Sequence, residues 1–214
     1  MEQKEFLHIL AAIIIFTIVI SLKSLTEKNY SFLPWGFIFA AIIISVNIAA
    51  KKFTANYLDS DVEHEIWQWQ RYGIKNQQKL KSSIPAGIIL PLIISLFSLG
   101  SYIFLGLLTY ETRALKSRAS KRHGFYSFSE MTDSHNALIG AAGILSIIIL
   151  SVITYLLPIP QAGILAKLSI YYAFWNILPI SKFDGTQIYF GSPVLYAIIA
   201  TITLIFTALA LITI

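Results

Sequence analysis

Asn176-Ile-Leu-Pro179-Ile-Ser-Lys-Phe-Asp184-Gly185 ends a long apolar run on a carboxylate, and that placement governs how the rest of the chain is read. The Asp follows the Asn by eight residues and the Pro by five, where a hydrophobic run that begins near residue 162 gives out. A carboxylate at the centre of a membrane helix costs about 2.5–3.5 kcal/mol on insertion scales, so one in or near hydrocarbon is a functional-site hypothesis by default. Pro179 disfavours helical backbone at the residue before it, so a helix should kink or end there. Asn176 can hydrogen-bond across helices, and Asp184-Gly185 on its own would be only a turn.

The surroundings are those of a membrane protein. Of 214 residues, 56% are hydrophobic and 13% charged, against about 25% charged in soluble domains. The formal charge of +5 fits membrane lipids with anionic headgroups as the partner surface. It does not fit nucleic acid, because no basic stripe with interleaved aromatics lies outside the juxtamembrane loops. The chain has no cysteine, which excludes disulfides, a thiolate nucleophile and a zinc–cysteine site. The first apolar run lacks a small-x-small cleavage site before Lys23 and reads as a retained anchor, not a signal peptide.

Apolar runs fall at about 6–22, 31–50, 84–108, 136–157, 162–180 and 193–214, with polar stretches at 51–83 and 109–135. A helix of about 20 residues crosses some 30 Å of hydrocarbon. Lys51, Lys52, Arg71, Lys75, Lys79 and Lys81 lie in the first polar stretch, and Arg113, Lys116, Arg118, Lys121 and Arg122 in the second. A spanning 84–108 would put these clusters on opposite sides, against the positive-inside tendency. A segment that enters and leaves on one face keeps both cytoplasmic, with Lys4 and Lys182. Pro85, Gly87, Pro91 and Gly100 punctuate it, and Pro91 should break an interior helix. This topology also brings the end of 31–50 to the same face as Asp184.

Residues 59–81 read as an interfacial amphipathic helix. Ser60 and Glu63 make a capping box, Val62, Ile66, Trp69 and Gly73 keep helical spacing, and Trp67, Trp69 and Tyr72 suit the headgroup level. The expected fold is an all-α polytopic membrane protein: one domain over 1–214, about five spanning helices, a re-entrant segment and that interfacial helix. It should be a multi-pass protein of the cell membrane with a cytoplasmic N-terminus.

The pattern N-x-x-P-x-x-x-F-D-G formed by Asn176, Pro179, Phe183, Asp184 and Gly185 resembles the second metal-ligand motif of the site-2 protease family, intramembrane zinc metallopeptidases. Ala137-Leu-Ile-Gly140-Ala-Ala-Gly143 resembles the family's A-L-A-G-P-L segment, and the likeness covers about 31–192. Ser181 and Lys182 depart from the family's prolines or apolar residues. The resemblance implies a preceding H-E-x-x-H, whose two His share a helix face and join the distal Asp on Zn²⁺ while the Glu serves as general base. The best overlay falls on Val46-Asn47-Ile48-Ala49-Ala50, followed by Lys51. Val46 and Ala50 then stand for the two His and Asn47 for the base. Residues 31–56 contain no His, Asp or Glu, so the first ligand set is missing.

The His residues elsewhere offer no spacing for a rebuilt site. His64-Glu65 begins like the motif without finishing it. His64 and His123 read as solvated or interfacial, as does His135, which stands nearest Asp184 at a helix entry; His8 lies on the first helix. Without a metal, Asp184 needs its own turn's N–H groups, Lys182 or a loop base as partner. The expectation is a site-2-protease-like protein that does not cut and binds a transmembrane segment or membrane protein partner in the former substrate groove. Asn176, Pro179 and Gly185 are then the partner-binding positions, Asp184 is a relic ligand, and no cofactor is expected. The alternatives are an active zinc metalloprotease with unconventional ligands, and a small transporter or structural membrane protein.

Overall fold

The computed structural model describes residues 2–71, 79–115 and 132–213. Among the described residues seven helices occur: α1 (Glu2–Thr26), α2 (Phe32–Tyr57), α3 (Ala86–Phe97), α4 (Asp133–Tyr155), α5 (Pro160–Ile177), α6 (Asp184–Gly191) and α7 (Pro193–Thr213). Four strands accompany them: β1 (Ser60–Ile66), β2 (Trp69–Arg71), β3 (Lys79–Ile84) and β4 (Leu108–Ala114). α1, α2, α4 and α7 are each long and apolar enough to cross a membrane. The shortest of these spans, 20 residues in α7, reaches about 30 Å at 1.5 Å per residue. The chain is a mostly helical, multi-pass membrane protein.

The interfacial helix over 59–81 is corrected. Its described residues form β1, β2 and the start of β3 in place of a helix, and 72–78 lie outside the described residues. Ser60, Val62, His64 and Ile66 are buried, while Asp61, Glu63 and Glu65 between them are not. That is the period of two that a half-buried strand requires; the helical spacing of Val62, Ile66 and Trp69 was a coincidence of the same residues. β1 pairs with β4, and β2 pairs antiparallel with β3, Trp69 opposite Ile84.

Two compact units divide the chain, Met1–Ala40 with Glu65–Thr109 and Ala41–His64 with Tyr110–Ile214. In the first, α3 lies along α1, with Ser95 Oγ donating to Val19 O at 3.3 Å. Trp67 holds both ends of the 84–108 segment: its N–H donates to Leu107 O at 2.9 Å, and its carbonyl accepts from Gly87 N–H at 2.9 Å. The chain therefore leaves and returns at one residue. Gly87 is obligatory there, because a Cβ would stand 2.3 Å from Leu107 O. The expected break at Pro91 is also corrected, since α3 runs through it. Pro91 is the sixth residue of the 12-residue helix, so its missing N–H removes one interior bond, that to the Gly87 carbonyl, while the helix continues to Phe97. The turn after α3 uses positive φ at Leu99 (52°) and Gly100 (78°).

In the second unit α4 packs on α5 and α6. Ala137, Gly140, Ala141 and Gly143 are buried on α4, small residues that let helices approach closely. Ser151 Oγ donates to Ala166 O at 2.9 Å across the α4–α5 contact. Thr132 caps α4, its hydroxyl accepting from His135 N–H at 3.3 Å. α5 begins on Pro160 and ends where expected, with Leu178 extended (ψ 132°) ahead of Pro179. Ser181, at φ 55°, turns the chain into α6.

A candidate buried cation–carboxylate site

The last three turns of α2 bury Asn47, Lys51 and Ala55 at intervals of four. Residues four apart share a helix face, so Asn47 and Lys51 lie on one buried face of the part of α2 that belongs to the second unit. Asp184, the first residue of α6, is fully buried there. Lys51 Nζ lies 2.8 Å from one Asp184 oxygen and 2.7 Å from the other, with both side chains almost wholly enclosed. The Tyr110 ring of β4 closes the site, its centroid 4.6 Å from Nζ. Gly143 makes room for the lysine. A Cβ there would meet Lys51 Cε at 2.5 Å and Asn47 Nδ2 at 3.0 Å. Burial pushes the Asp184 carboxyl above its ordinary pKa, and the Lys51 ammonium opposes that rise.

Lys51 is the correction that matters most. Its place among the loop cations is not where the fold puts it, because α2 continues to Tyr57 and carries it inside the protein. Lys182, the other cation considered for Asp184, bonds Glu111 instead, at 2.7 Å. That contact holds the Glu111 carboxyl below its ordinary pKa. Val46 and Ala50 are half-buried flanks of the α2 face on which Asn47 is buried.

Of the remaining motif residues, Asn176 bonds within α5 and Gly185 is held against its end. Asn176 is buried and its Nδ2 donates to Tyr172 O at 2.8 Å. Pro179 is exposed in the turn. Gly185 sits so close to the end of α5 that a Cβ would stand 1.9 Å from Ile177 O. His64 is buried in β1, not solvated, and His135 is half-buried in the first turn of α4. His8 is half-buried on α1, and His123 lies outside the described residues. Among the described residues no three His, Cys, Asp or Glu side chains gather as a metal would need.

Beside the buried pair a cleft of about 560 Å³ opens between β4, the start of α4 and α6, lined by Glu111, Thr112, Asp133, Asn136, Thr186, Gln187 and Phe190 among others. β4 is clamped to α4: Tyr110 OH donates to Asn136 O at 2.7 Å, and Thr112 Oγ1 donates to Asn136 Oδ1. Leu115 N–H donates to Asp59 O at 2.9 Å, which turns that residue's backbone toward β1. Main-chain groups alternate along a strand, so those of Tyr110, Thr112 and Ala114 face the other edge. There Gln187 Nε2 donates to Tyr110 O at 3.0 Å. Tyr110, Asn136 and Gln187 escaped sequence reasoning because each lies outside the motif. Only Lys51 carried a signal, a charge at the end of an apolar helix. Compared with family models, curated proteins and solved structures, the chain matches none.

Proposed function

We propose that the chain is a site-2-protease-like membrane scaffold that does not cut peptide bonds and holds a transmembrane or adjoining extended segment of a membrane partner. One observation carries the first half: the carboxylate that the resemblance makes a metal ligand is already neutralised by Lys51 of the same chain. The face of α2 presented to the buried interior is Asn47 and Lys51, spaced as the two His of H-E-x-x-H would be, one residue beyond the sequence overlay. An ammonium has no lone pair for zinc, and an amide is a poor ligand, so this donor set does not fit the metal.

The cleft supports the second half. It joins polar side chains to the edge of β4 that does not face β1, and an extended segment adds to such an edge through main-chain bonds. A photo-crosslinking residue at Thr112 should give a discrete adduct with a membrane partner, whereas one at exposed Lys52 should not. Adducts of equal yield at both positions would end the groove assignment. Zinc measured by mass spectrometry in detergent-purified protein should be absent from the wild type and from Asp184→Ala alike. One equivalent in the wild type, lost in the variant, would mean a metallopeptidase.

In this reading α5, 18 residues long, is the fifth span, the N-terminus is cytoplasmic and the 84–108 segment is re-entrant in the cell membrane. The return of that segment to Trp67 supports the last point. Single cysteines at Lys81 and Arg113 should react with an impermeant maleimide from the same, cytoplasmic side. Labelling from opposite sides would make the segment a span.

A further inference from the structure

The groups around Lys51 Nζ form a receptor for an ammonium ion. A buried carboxylate supplies charge, one oxygen accepting from Nζ at 2.8 Å and the other lying 2.7 Å away in the ion pair, and an aromatic ring stands 4.6 Å from the nitrogen. A carboxylate with an aromatic face is the pairing that recognises organic ammonium groups. The enclosure is specific in shape as well. Gly143 leaves a slot along the lysine stem, since a Cβ would come within 3.0 Å of both Cγ and Cε. We infer that Asp184 and Tyr110 form a primary-ammonium binding site whose resident ligand is the chain's own Lys51, and that a free alkylammonium can take its place when the tether is cut. The inference rests on the buried pair alone, not on the family resemblance or the partner cleft.

Lys51→Ala removes Cγ, Cδ, Cε and Nζ, the atoms of n-propylammonium, and leaves Asp184 uncompensated. The test is the melting temperature of detergent-solubilised Lys51→Ala titrated with n-propylammonium, tetramethylammonium or sodium chloride at equal ionic strength. n-Propylammonium should raise it by roughly 5 °C at saturation. The other two cations should not, nor should n-propylammonium act on wild type or on Lys51→Ala/Asp184→Asn. An equal response to all three cations, or the same response in the double variant, would overturn the site. If Lys51→Ala accumulates in membranes only when n-propylammonium is supplied, the site is supported; failure to accumulate even then counts against it. The wild type gives an independent readout. An amine-reactive ester should modify exposed Lys52 and spare Lys51, and equal modification of both would show that Nζ is not held in the site.

Discussion

Lys51→Met should destabilise the protein by about 3–5 kcal/mol, the usual cost of removing one member of a buried ion pair. Methionine keeps most of the volume of the lysine stem, so the loss is electrostatic and not a packing defect. It strands Asp184, which is fully buried. The carboxyl can escape only by taking up a proton, and its pKa is already raised by burial with Lys51 still present. A group whose pKa is higher folded than unfolded stabilises at low pH and loses that contribution as pH rises. The defect of Lys51→Met relative to wild type should therefore shrink as pH falls toward the ordinary carboxylate range and be greatest near neutrality. Asp184→Leu should show the converse, a stranded lysine. Lys51→Met/Asp184→Leu should recover most of the loss, because an apolar replacement of the whole pair is often neutral. Thermal unfolding in detergent across pH measures all three, and additive single-variant costs in the double variant would mean that the two side chains do not interact.

The end of α5 was legible because the sequence there carries its own punctuation. Pro179 forces Leu178 out of helical backbone, so the end of α5 could be placed from the sequence. The membrane helices were legible from the length of their apolar runs. The partner of Asp184 was not, because sequence distance hides it: the pair is 133 positions apart. Lys51 begins the polar stretch in one dimension, while on a helix continuing to Tyr57 it falls four residues after Asn47, on the inner face.

β1 failed for a different reason. Val62 and Ile66 satisfy both a helical and an alternating pattern, and the capping residues Ser60 and Glu63 tipped the choice toward helix. The deciding evidence is His64, whose burial completes the alternation. A histidine between two glutamates looks like surface, so its sequence context argued the wrong way. The cleft was invisible for a related reason. It is assembled from β4, α4, α6 and the turn before α6, and of its residues only Ser181 and Lys182, in that turn, stand out in the sequence.

Gly185→Ala should be about as damaging as loss of the ion pair, through the backbone and not through charge. The methyl carbon would stand 1.9 Å from Ile177 O, 2.3 Å from Ile177 C and 3.0 Å from Ile177 Cα. All three are backbone atoms at the end of α5, so no rotamer change can relieve the clash. The first turn of α6 would have to move by more than an ångström away from α5. Overpacking of a core costs about 1–3 kcal/mol when side chains can adjust, and a clash with fixed backbone belongs at or above the top of that range. The displaced residue is the neighbour of Asp184, so the carboxylate would be drawn from Lys51 as well. Gly163 is the internal control, since a Cβ there meets nothing within 4 Å. Gly163→Ala should be neutral or slightly stabilising, as alanine favours a helix interior over glycine by about 1 kcal/mol. Thermal unfolding of both variants, with ester modification of Lys51 as the local probe, separates the possibilities. A lowered melting temperature with Lys51 newly reactive in Gly185→Ala alone ties the glycine to the site. Wild-type stability in Gly185→Ala would mean that α6 does not meet α5 at this turn.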